Sequence, residues 1–209
     1  MPARRTAFGL LALGLLIQLI TIVWGGAVYP GYDHVSRYIS ELGATGAVTG
    51  PVVSWWGFVP SGLLVASGCL MAAWLGRRSR LAVAAWLGLA WYGVSLAAAG
   101  VYPCAFECAR SDASFNALMH DLFGGTGYLA GIVALPLAAF VARREGRRGL
   151  AILAVVCTVL AILGFAGVIA EARPAGLIQR MLEGSVDVFI LAFGWSLISK
   201  PPVPAAAPS

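Results

Sequence analysis

The sequence predicts an all-α integral membrane protein with six transmembrane helices arranged as three hairpins, and three observations lead to this fold class. Of the 209 residues, 60% are hydrophobic and only 11% are charged, a composition that soluble domains do not show. Six apolar segments approach or exceed the length of about 20 residues that a helix needs to cross a bilayer. Basic residues fill alternate loops between these segments, as they do in membrane bundles.

The predicted spans follow one another with short connections. The first lies next to Arg4 and Arg5 as a signal peptide would, but its apolar run is too long for one, so we expect a permanent helix. We predict a single transmembrane domain over residues 1–200 and a disordered cytoplasmic tail over residues 201–209, where no pattern favours packing. The six spans cover residues 6–28, 52–76, 81–102, 122–142, 149–170 and 182–199.

The charged residues predict the orientation of the bundle. Six spans place both termini on one side, and ten of the 14 Lys and Arg residues fall on that side, which is therefore expected to be cytoplasmic. The net charge of +5 then serves orientation, and no nucleic-acid partner is expected. Both histidines and every acidic residue except Glu145 fall at the opposite, exoplasmic face. Acid–base or ligand chemistry is therefore expected at that face.

The prediction of three hairpins rests on a similarity between span ends. The first span ends in GAVYP at residues 26–30 and the third in AGVYP at residues 99–103, although proline also ends helices generally. Each hairpin contributes one outer loop. These loops cover residues 29–51, 103–121 and 171–182.

The first outer loop contains a short polar segment, DHVSRYISELG, which predicts an amphipathic helix from Asp33 to Gly43. Asp33 would cap its first turn, Glu41 would pair with Arg37, and Gly43 would end the helix in the left-handed conformation. Such a helix either covers the rim of the bundle as an interfacial segment or completes a site with its polar face. That face carries His34, Arg37 and Glu41, flanked by Ser36 and Ser40.

The second outer loop contains two cysteines, Cys104 and Cys108, which on an oxidising face predict a local disulfide. A metal site is the alternative, and it would need His120 together with Asp112 or Asp121 as further ligands. Asp121 also predicts the cap of the fourth span.

The last span carries three charged residues along one helical face: Arg180, Glu183 and Asp187. Asp187 should lie well below the outer surface, where a carboxylate is costly unless it is paired, so we expect Arg180 or Arg37 as its partner. A buried ion pair that only fixes helix packing is the structural alternative.

Cofactor chemistry is not expected. The single lysine, Lys200, lies at the cytoplasmic end, which excludes a retinal Schiff base within the bundle, and both histidines lie at the rim rather than at haem depth. The sequence contains neither a phosphate-binding glycine loop nor a nucleotide fingerprint.

Four segments, YPGYDHVSRYISELGA, the YPC pair of cysteines, LMHDLF and GLIQRMLE, resemble a family of six-span prokaryotic membrane proteins known as domain of unknown function nine-nine-eight. The resemblance runs from about residue 10 to about residue 198. It implies a multi-pass protein in a bacterial or archaeal plasma membrane, but no activity. The recurring positions that it implies are Ser36, Ser40, Glu41, Leu42, Gly43, Cys104, Cys108, His120, Gln179 and Arg180.

These patterns support several functional hypotheses. The leading one is a pocket open to the outer leaflet that binds a lipid or another amphipathic molecule, with the guanidinium groups of Arg37 and Arg180 suited to an anionic head group. The second is a lipid hydrolase or transferase, in which His120 acts as a general base on a serine, or both histidines and an acid hold zinc. A structural subunit, a transporter and self-association with a second copy are further alternatives. The catalytic candidates are His120, Ser36, Ser40 and Glu41, and the ligand-binding candidates are His34, Arg37, Gln179, Arg180, Glu183 and Asp187.

Overall fold

The structure, a computed structural model, describes residues 1–199. Six long helices form most of this part of the chain, which contains no strand. Two short 3-10 helices, Ser40–Gly43 and Phe106–Cys108, lie in the loops. The predicted tail and Lys200 fall outside the described residues. The long helices are α1 (Pro2–Val28), α2 (Gly50–Leu75), α3 (Arg80–Val101), α4 (Phe115–Arg144), α5 (Arg148–Ile169) and α6 (Ala175–Ser196).

The helices α1 to α5 are long and apolar enough to cross a membrane. Their outer faces carry large apolar side chains, among them Leu19, Ile20 and Leu163, each more than half exposed. Such a surface suits lipid rather than water, and it confirms an all-α membrane protein. Helix α6 has 22 residues, enough for a span, but it carries three charged residues. The sixth span and the orientation in the membrane therefore stay predictions.

Consecutive helices pack side by side, and α6 returns against α1. Small residues allow the closest approach: a Cβ on Gly93 of α3 would lie 2.6 Å from the backbone nitrogen of Ala66 in α2. In the interior of the bundle Trp86, near the start of α3, stacks on Phe193, near the end of α6, with ring centroids 4.2 Å apart. Because every consecutive pair packs, the contacts do not separate the bundle into three hairpins.

Two helices begin a full seven residues earlier than the hydropathy predicts. Helix α4 begins at Phe115 rather than residue 122, and α6 begins at Ala175 rather than residue 182. The predicted cap by Asp121 is wrong, because the side chain of Ser114 caps α4 by accepting a hydrogen bond from the backbone N–H of Ala117. Hydropathy reports which residues suit lipid, and polar side chains such as His120 and Arg180 lower it in the segments before residues 122 and 182, although the helix continues through them.

The predicted amphipathic helix from Asp33 to Gly43 is also wrong. One turn forms at its start, where Asp33 accepts hydrogen bonds from the backbone N–H groups of Val35 and Ser36, and only the 3-10 helix Ser40–Gly43 follows. The reason lies in two backbone N–H groups between these turns. Tyr38 donates to the carboxylate of Glu41, and Ile39 donates to the side-chain oxygen of Gln179, so side chains replace the helical hydrogen bonds.

Gly43 does not adopt the left-handed conformation that was expected of it, since the glycines with positive φ are Gly31, Gly46 and Gly146. Its small size matters instead. A Cβ at position 43 would lie 3.0 Å from the ring of Phe58 and 3.0 Å from the hydroxyl of Ser54, so the loop packs closely on α2.

Candidate functional site

The first loop is fastened to the start of α6 by Arg180. The guanidinium donates through Nη1 to the carbonyl oxygen of Arg37, at 3.1 Å, and through Nη2 to the hydroxyl of Tyr32 and to Nδ1 of His34, at 2.7 and 2.8 Å. Leu177 adds a backbone hydrogen bond to the carbonyl of Val35. We call Tyr32, His34, Arg37 and Arg180 the loop clamp. Both terminal nitrogens of Arg180 are therefore engaged with the protein itself.

The side chain of Arg37 also has partners within the protein. It lies 3.0 Å from a carboxylate oxygen of Glu107 and 3.6 Å from Glu41, which confirms the predicted pairing with Glu41. Burial raises the pKa of the Glu41 carboxyl, and the hydrogen bond from the Tyr38 N–H and the charge of Arg37 oppose this rise. These contacts assign Glu41 and Arg37 to holding the two loops rather than to a free polar surface.

The disulfide between Cys104 and Cys108 is present, as predicted. The backbone N–H of Thr45 donates to the carbonyl of Cys104, which joins the first and second loops. The hydroxyl of Ser40 lies 3.2 Å from the sulfur of Cys108, whereas Ser36 donates to Asp33 at 2.6 Å.

A cavity of about 310 Å³ lies between α3, α4, α5 and α6 and is bordered by residues 38 and 39 of the first loop. Apolar side chains form much of its wall, including Ile39, Leu96, Phe165 and Val168. Of the predicted site residues, Cys108, His120, Gln179 and Glu183 line it, whereas Ser36, Ser40, Glu41 and the remaining candidates do not. The other polar residues of its lining are Tyr38, Tyr92, Ser95, Arg110, Asp121 and Tyr128.

A hydrogen-bond network centred on Glu183 forms the polar part of this cavity. The side chain is only 6% exposed, and one carboxylate oxygen accepts from the hydroxyl of Tyr128 at 2.6 Å and from the amide of Gln179 at 2.7 Å. The other oxygen lies 3.5 Å from the amide nitrogen of Gln18 in α1. Because Gln179 also accepts from the backbone of Ile39, the network connects the first loop to the middle of the bundle.

Asp187 lies one turn further along α6 than Glu183. Its predicted arginine partner is wrong, because its carboxylate accepts a hydrogen bond from the hydroxyl of Tyr92 at 3.0 Å, and the nitrogens of Arg180 are directed at the loop clamp. The phenol hydroxyl is therefore the donor to this carboxyl group in place of a cation.

His120 lines the cavity as well. Its Nδ1 lies 3.0 Å from the carbonyl oxygen of Tyr102, and since a carbonyl only accepts, Nδ1 carries the proton. In the neutral ring Nε2 is then an acceptor. Within residues 1–199 no hydrogen bond joins His120 to Ser36 or Ser40, so the serine–histidine arrangement is not assembled. The described chain also has no group of three His, Cys, Asp or Glu side chains that could hold a metal ion.

Sequence reasoning missed Gln18, Tyr92, Ser95, Arg110 and Tyr128. A signal existed for Gln18, which is a strongly polar side chain in the middle of an apolar span and is 2% exposed. Tyrosines and serines are common in membrane helices, so the sequence does not set Tyr92, Ser95 and Tyr128 apart from the others. Only their position at the cavity in the folded protein does so.

The loop clamp should respond to pH through His34. Burial lowers the pKa of its imidazole from the ordinary 6.5, and the charge of Arg180 lowers it further while Asp33 opposes both. The folded protein therefore binds this proton less readily than the unfolded chain does. The stability that His34 contributes is present above pH 6.5 and is lost as the pH falls through the lowered pKa of the folded state. Protonated Nδ1 can no longer accept from Arg180.

We therefore expect the melting temperature of the wild type to fall between about pH 7 and about pH 5, with a smaller fall in a His34→Gln variant, which retains an acceptor but does not titrate. Melting curves of both proteins across this range check the prediction. Identical pH profiles would show that His34 does not control the clamp.

A family model described as protein of unknown function, DUF998, matches residues 12–196. No curated protein and no solved structure matches the chain.

Proposed function

Because the chain belongs to the DUF998 family, which brings no known activity with it, we propose from the geometry that it binds a lipid or another amphipathic small molecule in the cavity between α3, α4, α5 and α6. The observation that carries the proposal is the buried network of Glu183, Gln179 and Tyr128 at a cavity with largely apolar walls. By the distribution of basic residues, this cavity would open towards the exoplasmic leaflet.

The size and lining of the cavity support this proposal. A volume of about 310 Å³ is at the small end of the ligand pockets of proteins, which hold roughly 300–1,000 Å³. Such pockets combine apolar walls with a few polar groups that orient the ligand. Leu96, Phe165 and Val168 would contact an alkyl chain, and Glu183 and Gln179 would contact its polar end.

Filling the cavity should remove the ligand without damaging the fold. Gly125 lines the cavity, and a Cβ at this position would have no atom within 4 Å, so Gly125→Leu places a side chain into open space. We expect at least a roughly tenfold loss of co-purified lipid or added amphiphile in this variant. The melting temperature should not fall, because leucine is a better helix former than glycine.

Native mass spectrometry in mild detergent measures the retained ligand. The matched control is Gly9→Leu in α1, where a Cβ also meets nothing within 4 Å and which does not line the cavity. Equal ligand retention in the wild type, Gly125→Leu and Gly9→Leu would contradict the proposed function.

A further inference from the structure

We propose that the ligand of this cavity carries a protonated amine, so that the site selects cationic over neutral and anionic amphiphiles. This inference rests on the proposed function and adds the chemical class of the head group. It is carried by two carboxylates whose partners are all uncharged and by a buried hydroxyl that has no partner.

The carboxylates belong to Glu183 and Asp187, one helical turn apart on α6. Glu183 accepts from a phenol and an amide and lies near a second amide, and Asp187 accepts from the phenol of Tyr92. Within residues 1–199, none of the ion pairs closer than 4 Å includes either carboxylate. The cation on the same helix, Arg180, donates through its terminal nitrogens to the loop clamp.

A buried carboxylate without a cation is costly in a membrane interior, so an ionised Glu183 would be stabilised by a positive charge placed in the cavity. Arg110 lines the cavity but does not supply that charge. It is half exposed, its Nε lies 3.2 Å from Glu171, and it donates to the carbonyl of Val168. A cationic ligand would therefore provide what the protein does not.

Ser95 is the second, independent observation. It lines the same cavity, it is 4% exposed, and its hydroxyl oxygen has no hydrogen-bond partner. The side-chain oxygen of Gln18 is likewise buried without a partner, beside the carboxylate of Glu183. Both oxygens can accept a hydrogen bond, and an ammonium group has three N–H donors and no acceptor. The lining of the cavity thus offers the carboxylate of Glu183 and the hydroxyl of Ser95 to a donor-rich head group, and the oxygen of Gln18 lies outside this lining, beside Glu183.

The charges also predict what the cavity rejects. A carboxylate or phosphate head would be repelled by an ionised Glu183, and the terminal nitrogens of Arg180 are directed at the loop clamp rather than at the cavity. A hydroxyl head would satisfy one acceptor without compensating the charge. The apolar walls contact the alkyl chain in the same way whichever head group is bound. The difference in affinity between these ligands therefore measures the contribution of the head-group charge.

The test uses three probes with the same alkyl chain: octylamine, octanol and octanoate. At neutral pH the amine is charged, since alkylamines titrate near the lysine value of about 10.4. The full-length protein is placed in nanodiscs of zwitterionic lipid, and the affinity of each probe is determined from the shift of the melting temperature with probe concentration. Glu183→Gln removes the carboxylate that lines the cavity. Glu145→Gln is the matched control, because Glu145 is exposed, directly follows the C-terminal end of α4 and does not line the cavity.

In the wild type and in Glu145→Gln, we expect octylamine to bind roughly tenfold more tightly than octanol, or better. In Glu183→Gln, we expect the two probes to bind with similar affinity. Octanoate should bind most weakly. Equal affinities of octylamine and octanol in the wild type, or tighter binding of octanoate, would overturn the ammonium inference and leave the proposed cavity function standing. Failure of all three probes to bind would overturn both.

Discussion

Gly176→Ala is expected to destabilise the protein by roughly 1–3 kcal/mol, because it inserts a methyl group where the first loop crosses the start of α6. A Cβ at this position would lie 2.6 Å from the carbonyl oxygen of His34 and 2.9 Å from that of Val35, and it would also meet the carbonyl of Arg37. These are backbone atoms, so they cannot turn aside as a flexible side chain would. For a chain of this size the melting temperature should fall by about 2–4 °C per kcal/mol.

Gly184→Ala is the matched control for this substitution. It lies on the same helix, but a Cβ there would meet no atom within 4 Å. Because alanine is the better helix former, this variant should be stabilised by up to about 1 kcal/mol. Melting temperatures that move in the same direction in both variants would show that the contact of the loop with α6 is not the cause.

Glu183→Ala should be the most damaging change within the cavity. It removes the acceptor for the hydroxyl of Tyr128 and the amide of Gln179, and it leaves the amide of Gln18 without its nearest partner. A buried donor without an acceptor costs about 1–3 kcal/mol, so a loss of several degrees in melting temperature is expected. No cation is left unpaired, because the partners of this carboxylate are neutral.

Glu183→Gln separates hydrogen bonding from charge. The new side-chain oxygen can still accept from Tyr128 and Gln179. The new amide can donate to the oxygen of Gln18, which has no partner in the wild type, once the Gln18 amide turns over so that its oxygen rather than its nitrogen faces position 183. We therefore expect a melting temperature close to that of the wild type. If both variants are destabilised equally, the network does not act through the acceptors assigned to it.

The loop clamp and the cavity are physically connected. Gln179 holds the backbone of Ile39, which lines the cavity, and Arg180, the next residue, holds the backbone of Arg37. The first loop therefore borders the cavity because two adjacent side chains of α6 hold it there. A change that loosens the clamp, such as protonation of His34, is expected to loosen this border of the cavity as well.

The sequence by itself determined the class of the protein and the order of its helices. An apolar run of about 20 residues can satisfy its backbone groups in lipid only as a helix, so composition and spacing suffice for that prediction. The disulfide between Cys104 and Cys108 and the pairing of Arg37 with Glu41 were also predictable, because both join residues four positions apart. Residues so close in sequence stay near each other in most backbone conformations, so their contact does not depend on how the helices pack.

Only the tertiary structure decided which polar residues form a site. The segment after Asp33 has a helical pattern, but Gln179, 140 residues away, takes the N–H of Ile39 and prevents the helix. Asp187 meets Tyr92 rather than an arginine, and His120 lines a cavity with Glu183 rather than meeting a serine. A hydropathy or helical pattern records which face of a segment is polar, whereas a hydrogen-bond partner is chosen by distance between segments that only the packed bundle brings together.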